Sequence, residues 1–243
     1  MRFIKTKDYE DMSKKAATVI AAQVIIKPAS VLGLATGSTP IGTYANLVAS
    51  YKSGDLDFSK VTTVNLDEYK GISRDNEQSY FYFMNQHLFS QVNINLAHTY
   101  LPDGTEADSD KACAEYDRII KGTGGVDLQL LGLGNNGHIG FNEPSDEFKV
   151  HTFCSDLTER TITANQRFFS SYDEVPKQAY TMGIGTIMSA DKILVIVSGE
   201  GKADIVKEAF FGAVNPKVQA SVLQLHPDVT VIGDEAAFSR IIV

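Results

Sequence analysis

The segment Gly132-Leu133-Gly134-Asn135-Asn136-Gly137-His138-Ile139-Gly140-Phe141-Asn142-Glu143-Pro144 holds the side chains best suited to moving protons. His138 has Asn136 two residues before it and Glu143 five after it. Partners of these types can fix the tautomer of an imidazole and tune its basicity. The apolar run from Val126 to Leu131 precedes the segment and reads as a buried strand. The polar cluster therefore sits at a strand exit, where open α/β sheets bind ligands. Gly132, Gly134 and Gly137 also satisfy G-x-G-x-x-G, but that dinucleotide fingerprint must open a helix. His138, Phe141, Asn142 and Pro144 follow with no helical run, so the match reads as accidental. A nicotinamide-dependent dehydrogenase stays a remote alternative.

Three further groups carry chemistry. In Asn65-Leu66-Asp67-Glu68-Tyr69, paired acids follow a strand. They read either as a helix cap or solvated turn, or with Asp67 as a general base that takes a proton from a bound substrate. In Thr36-Gly37-Ser38-Thr39-Pro40, Pro40 suits the first helical position and Ser38 or Thr39 would cap the helix. The backbone N–H groups and hydroxyls there form either an anion site or a plain strand-to-helix cap. No lysine stands where a Walker A loop needs one. Arg167 and Lys202 are each readable as solvated charges. Lys202, however, opens a predicted helix, where a cation opposes the dipole and a bound anion would offset the cost. Together the two could clamp a phosphate, the guanidinium as a planar fork and the ammonium as a point charge.

Alternating elements must position these groups. Helical spacing of Tyr9, Met12, Ala16, Val19 and Ile20 predicts an opening amphipathic helix. Strands are expected at Ser30 to Ala35, Val61 to Leu66, Val126 to Leu131, Tyr180 to Met182, Lys192 to Val197 and Val229 to Ile232. Helices are expected from Pro40, within Ser79 to Leu88, and over Asp108 to Lys121, Glu159 to Phe169 and Lys202 to Phe211. The alternation predicts an α/β fold: one domain over residues 1–243, an open and mostly parallel sheet with helices on both faces.

The net charge of −8 argues against nucleic-acid binding and requires any phosphate site to be locally basic. No apolar run is long enough to span a bilayer, and the amino terminus lacks the apolar stretch of a signal peptide. Cys113 and Cys154 give neither metal spacing nor a disulfide framework. A cytoplasmic protein with structural thiols is the expectation.

At these residues the chain resembles the glucosamine-6-phosphate deaminase (isomerase) family. The likeness covers nearly the whole chain. It is carried by Thr36-Gly37-Ser38-Thr39-Pro40, Asn65-Leu66-Asp67-Glu68-Tyr69, Leu101-Pro102-Asp103-Gly104, Gly137-His138-Ile139-Gly140-Phe141-Asn142-Glu143-Pro144, Arg167-Phe168-Phe169 and Gly199-Glu200-Gly201-Lys202-Ala203. The Asp-Glu-Tyr and Gly-His-Ile-x-Phe-Asn-Glu-Pro elements separate it from 6-phosphogluconolactonase, which shares the modified Rossmann-like fold and the phosphate loop.

The resemblance implies conversion of D-glucosamine 6-phosphate and water to D-fructose 6-phosphate and ammonia, in amino-sugar catabolism, with neither metal nor organic cofactor. It implies that His138 assists ring opening, oriented by Asn136 and Glu143, and that Asp67 moves the C2 proton to C1. Thr36, Gly37, Ser38, Thr39, Arg167 and Lys202 would hold the phosphate. Some relatives carry aspartate at the place of Asn136. Asparagine would hydrogen-bond the imidazole without stabilising its charged form, leaving His138 a lower pKa than aspartate would. Larger relatives are hexamers activated by N-acetylglucosamine 6-phosphate. With only Ala236 to Val243 beyond Glu235, this chain resembles a shorter branch, implying a monomer without that activation. A lactonase and a non-catalytic sugar-phosphate sensor are the competing readings, although a sensor has little need of a C2 base.

Overall fold

Strands that are apolar on both faces dictate the centre of the molecule. Ile193–Val197 and Val229–Asp234 are buried at every position, as strands inside a parallel sheet must be. The computed structural model describes the whole chain except residues 160, 161, 164, 165, 167, 168, 170 and 173. In chain order the elements are β1 (Arg2–Thr6), α1 (Tyr9–Ile26), β2 (Val31–Leu34), α2 (Ile41–Lys52), β3 (Thr62–Asn65), β4 (Asp67–Tyr69), α3 (Tyr80–His87), β5 (Thr99–Tyr100) and α4 (Ser109–Gly122). They continue with β6 (Leu128–Gly132), β7 (Phe153–Asp156), β8 (Gln178–Thr181), α5 (Ile184–Met188), β9 (Ile193–Val197), α6 (Ala203–Phe211) and β10 (Val229–Asp234).

Seven strands form one sheet in the order β1-β10-β9-β6-β2-β3-β5, and every pair in it is parallel. From β2 the chain builds outward through β3 to β5, then returns to the other side of β2 for β6, β9 and β10. The direction of building therefore reverses between β2 and β6. Right-handed crossovers on the two sides of such a reversal put their helices on opposite faces and open a crevice at the carboxyl ends of those strands. One continuous core joins α1, α2 and the central strands, with Met12, Ala16, Tyr44, Leu131, Leu194 and Val231 fully buried.

The sequence reading missed three parts of this frame, the two-residue edge strand β5 among them. β1 is an edge strand whose residues are mostly half-exposed, so it shows no apolar run. A second sheet, antiparallel in the order β4-β8-β7, carries strands of three or four residues with polar members. The expected strand at Tyr180 to Met182 belongs to this small sheet, as Gln178–Thr181, and not to the large one. The helix expected over Glu159 to Phe169 falls largely outside the described residues. Both cysteines are free, and burial pushes the Cys113 thiol up to about 12. Among the described residues no helix is long and apolar enough to cross a membrane.

Candidate active site

The strand order brings the chemistry-bearing segments together. β9, β6, β2 and β3 are consecutive neighbours, so the segments leaving their carboxyl ends line one edge of the sheet. These carry Lys202, His138, Thr36 to Thr39, and Asp67 respectively.

The His138 loop folds back on its own glycines. Gly134 N–H donates to His138 O at 2.9 Å, and Gly137 N–H donates to Gly134 O at 3.0 Å. Gly137 has φ +82°, a left-handed conformation that favours glycine. A Cβ on Gly134 would lie 2.3 Å from His138 Cδ2 and Nε2, so only glycine lets the ring pack there. The glycine pattern thus serves an imidazole and not a dinucleotide, and no helix follows it in residues 133–152.

Glu143 Oε2 stands 3.4 Å from His138 Nδ1, with the glutamate the more buried of the two. Asn136 does not bond the imidazole, contrary to the expectation. Its Nδ2 donates to Glu143 Oε2 at 2.7 Å, and its Oδ1 accepts the backbone N–H of His138 at 3.2 Å. The turn is short enough that the amide meets the His138 main chain, while its other end reaches the ring's acidic neighbour.

Asp67 opens β4 and pairs with Thr181 of β8. Leu66 O, just before it, accepts Met182 N–H at 2.8 Å. A Cβ on Gly140 would lie 3.4 Å from Asp67 Oδ2 and 2.9 Å from Thr181 Oγ1. Gly140 follows His138 by two residues, so the carboxylate and the histidine loop meet on one side of the molecule. Asp67 is only 6% exposed. Burial, then the neighbouring Glu68 charge, pushes its carboxyl up to about 8.

Glu68 is committed elsewhere. Its Oε1 accepts the N–H groups of Tyr69 at 2.9 Å and Tyr80 at 3.0 Å, and its Oε2 accepts that of Phe81 at 3.1 Å. Burial pushes this carboxyl up to about 7, against the lowering effect of those donors and of Arg74. The acid pair thus divides the two sequence readings: Glu68 caps α3, and Asp67 faces the histidine loop. Tyr69, Tyr80 and Phe141 cluster beside them, with the tilted Tyr69 and Tyr80 rings 4.8 Å apart and the stacked Tyr80 and Phe141 rings 6.1 Å apart. Sequence reasoning missed Gly140, Thr181 and Tyr80. Only Gly140 carried a signal, its place inside the histidine motif.

The glycine loop after β2 differs from its predicted cap. α2 begins at Ile41, Pro40 takes the capping position, and no side chain caps it. The Tyr9 hydroxyl does related work, accepting Gly42 N–H at 2.9 Å while lying 3.1 Å from Thr39 O. Ser38 and Thr39 are therefore not consumed in capping. Gly37 has φ +106° and open space where a Cβ would be.

Lys202 ends a 3₁₀ turn, Glu200–Lys202, and stands at the capping position of α6 rather than within it. Its Nζ donates to Leu133 O at 2.6 Å, which sets the cation against the end of β6. Arg167, the other proposed cation, lies outside the described residues.

Known proteins resemble this chain over nearly its whole length. A family model described as glucosamine-6-phosphate isomerases/6-phosphogluconolactonase matches residues 6–231. A glucosamine-6-phosphate deaminase of Lachnoclostridium phytofermentans is 55% identical over 96% of this chain and 98% of its own. A solved structure of a monomeric glucosamine-6-phosphate deaminase superposes with a TM-score of 0.96 at 43% identity, covering 99% of this chain and 100% of that one. A 6-phosphogluconolactonase of Trypanosoma brucei, at 18% identity and a TM-score of 0.80, covers 99% of this chain and 98% of its own and shares the fold alone.

Proposed function

We infer the chemistry of this site from the premise that the chain belongs to the glucosamine-6-phosphate isomerase/6-phosphogluconolactonase family. Its activity is that of the deaminase branch: D-glucosamine 6-phosphate and water give D-fructose 6-phosphate and ammonia, an aldose–ketose shift coupled to deamination in amino-sugar catabolism. The observation that carries the site assignment is that Asp67 Oδ2 lies 3.4 Å from where a Cβ on Gly140 would stand, which sets a buried carboxylate beside the loop bearing His138.

Each residue has a chemical role in this reading. His138 moves the proton that opens the pyranose ring. Glu143 stabilises the imidazole charge, and Asn136 holds Glu143. In the open-chain aldehyde the C2 hydrogen is acidic because it lies α to the carbonyl. Ionised Asp67 takes it, leaving an enolamine, and returns it to C1. The imine now at C2 adds water and expels ammonia, so atoms balance without a hydride carrier, metal or organic cofactor. Thr36, Gly37, Ser38 and Thr39 supply donors to the phosphate, with Arg167 and Lys202 supplying charge.

The decisive experiment follows ammonia and fructose 6-phosphate from glucosamine 6-phosphate, with Asp67→Asn in parallel. The variant loses exchange of the C2 hydrogen with deuterated solvent, read by NMR, yet still binds phosphate. Acid release from 6-phosphogluconolactone without ammonia would instead establish the lactonase reading. Binding of the sugar phosphate without turnover would establish the sensor. We further read residues 1–243 as one domain acting as a cytoplasmic monomer without an allosteric activator. Light scattering and the shape of the rate curve test that, and activity undiminished by a chelator tests the absence of metal.

A further inference from the structure

The last strand contributes a buried acid that the deamination chemistry leaves unassigned. Asp234 ends β10 and is only 5% exposed. Its carboxylate reaches sideways along the sheet edge to the segment leaving β9. Oδ1 accepts Ala237 N–H at 2.7 Å and Gly199 N–H at 3.1 Å. Oδ2 accepts Gly199 N–H at 3.0 Å and the Ser198 hydroxyl. Gly199 has φ +94°, so the chain turns sharply at the residue the carboxylate holds. Gly199 O then accepts Lys202 N–H at 3.0 Å, and Lys202 Nζ donates to Leu133 O at 2.6 Å. A hydrogen-bonded path therefore runs from the end of β10, through the turn after β9, to the loop after β6 that carries His138.

We propose that Asp234 is a positioning residue for phosphate recognition, locking the Ser198–Gly199 turn so that the ammonium of Lys202 is held at the sheet edge where the phosphate binds. This rests on the reading of Lys202 as a phosphate contact. A carboxylate near a phosphate site opposes the anion by its charge, so its place there calls for a geometric reason. Two adjacent acceptor oxygens supply one, because they satisfy donors from both Ser198–Gly199 and Ala237 at once. Asparagine would keep one acceptor and turn an NH₂ group toward a donor, and alanine would keep none.

The test uses the full chain with Asp234→Asn, Asp234→Ala and the milder Ser198→Ala, which removes one donor. Two quantities are measured for each: KM for glucosamine 6-phosphate, and the dissociation constant of inorganic phosphate. For the Asp234 variants both rise together by about tenfold while kcat stays within about twofold, and Ser198→Ala shifts both by about twofold. A fold-wide defect would instead lower the melting temperature and the active fraction, which drops apparent kcat at unchanged KM and phosphate affinity and so counts against the proposal. Folded variants with unchanged KM and unchanged phosphate affinity overturn the proposal, as does a fall in kcat at constant KM. Should Asp234→Ala not fold, Asp234→Asn and Ser198→Ala decide the matter. If the unmodified protein binds phosphate but releases no ammonia, the deaminase reading fails while the phosphate comparison still judges Asp234.

Discussion

Gly140 leaves Asp67 its space: a Cβ on Gly140 would lie 3.4 Å from Asp67 Oδ2 and press on Thr181 Oγ1 at 2.9 Å. Gly140 also has φ +56°, so a side chain there adds backbone strain. Gly140→Ala should cost about 1–2 kcal/mol of stability through that strain. Activity should fall further, by about 10- to 100-fold in kcat/KM, because the displaced group is the partner strand of the base. Urea denaturation and the ammonia assay measure the two effects separately. Undiminished turnover would show that this close approach does not matter.

The raised carboxyl of Asp67 links activity and stability in opposite senses. As a base it works only when ionised, so kcat/KM should climb as pH rises through about 8 in the unliganded protein. The folded state binds that proton more tightly than the unfolded chain does. Between the ordinary value of 3.8 and about 8 the folded protein holds more protons, so stability falls as pH rises across that window. Asp67→Asn removes the buried charge. It should melt at a higher temperature than the parent at pH 8, with the difference shrinking toward pH 4, while losing C2 exchange. Equal melting curves at every pH would refute the linkage.

Much of this arrangement was legible in the residue string, and the parts that were not share a physical cause. The runs at Ile193–Val197 and Val229 to Ile232 announce themselves because strands buried on both faces are dominated by apolar residues. His138 and Glu143 could be paired because one short loop carries both. β4 and β7 gave almost no signal, since three or four residues are too few to show a period. The capping reading at Ser38 and Thr39 failed for another reason. The Tyr9 hydroxyl, far away in sequence, meets the Gly42 N–H, and single-segment reasoning has no view of such a tertiary partner. Likewise the amide of Asn136 could be placed near the histidine, but not assigned to Glu143 and the main chain.

That placement of Asn136 changes what an aspartate would do there. Asn136→Asp keeps an acceptor for the His138 N–H but replaces the donor that Glu143 Oε2 meets at 2.7 Å with a second carboxylate oxygen. Two carboxylates so close cannot both ionise easily, and one will hold a proton. The Glu143 side chain should shift away from its present contact, or the pair should titrate with one apparent pKa clearly raised. While the two acids share that proton the pair carries a single negative charge, as Glu143 beside an amide does, so the change is read at the carboxyls. NMR titration of the carboxyl carbons reads that shift. Unmoved carboxyls would show that the 136–143 contact is absent in solution.

Glu68 offers the sharpest separation of scaffold from chemistry. Its carboxylate collects the N–H groups of Tyr69, Tyr80 and Phe81, tying β4 to the start of α3 from a position only 3% exposed. Glu68→Ala leaves three donors without this acceptor and should cost about 2–3 kcal/mol in denaturant unfolding. Glu68→Gln keeps acceptor capacity on one atom and should cost less. It also removes the charge that is the second cause, after burial, of the raised carboxyl of Asp67. Without that neighbour Asp67 ionises more readily, and the acid limb of the kcat/KM profile should move to lower pH. A variant with the parent's limb and reduced stability would confine Glu68 to the scaffold. A limb displaced downward would show that the acid capping α3 also sets the pH at which the neighbouring base becomes active.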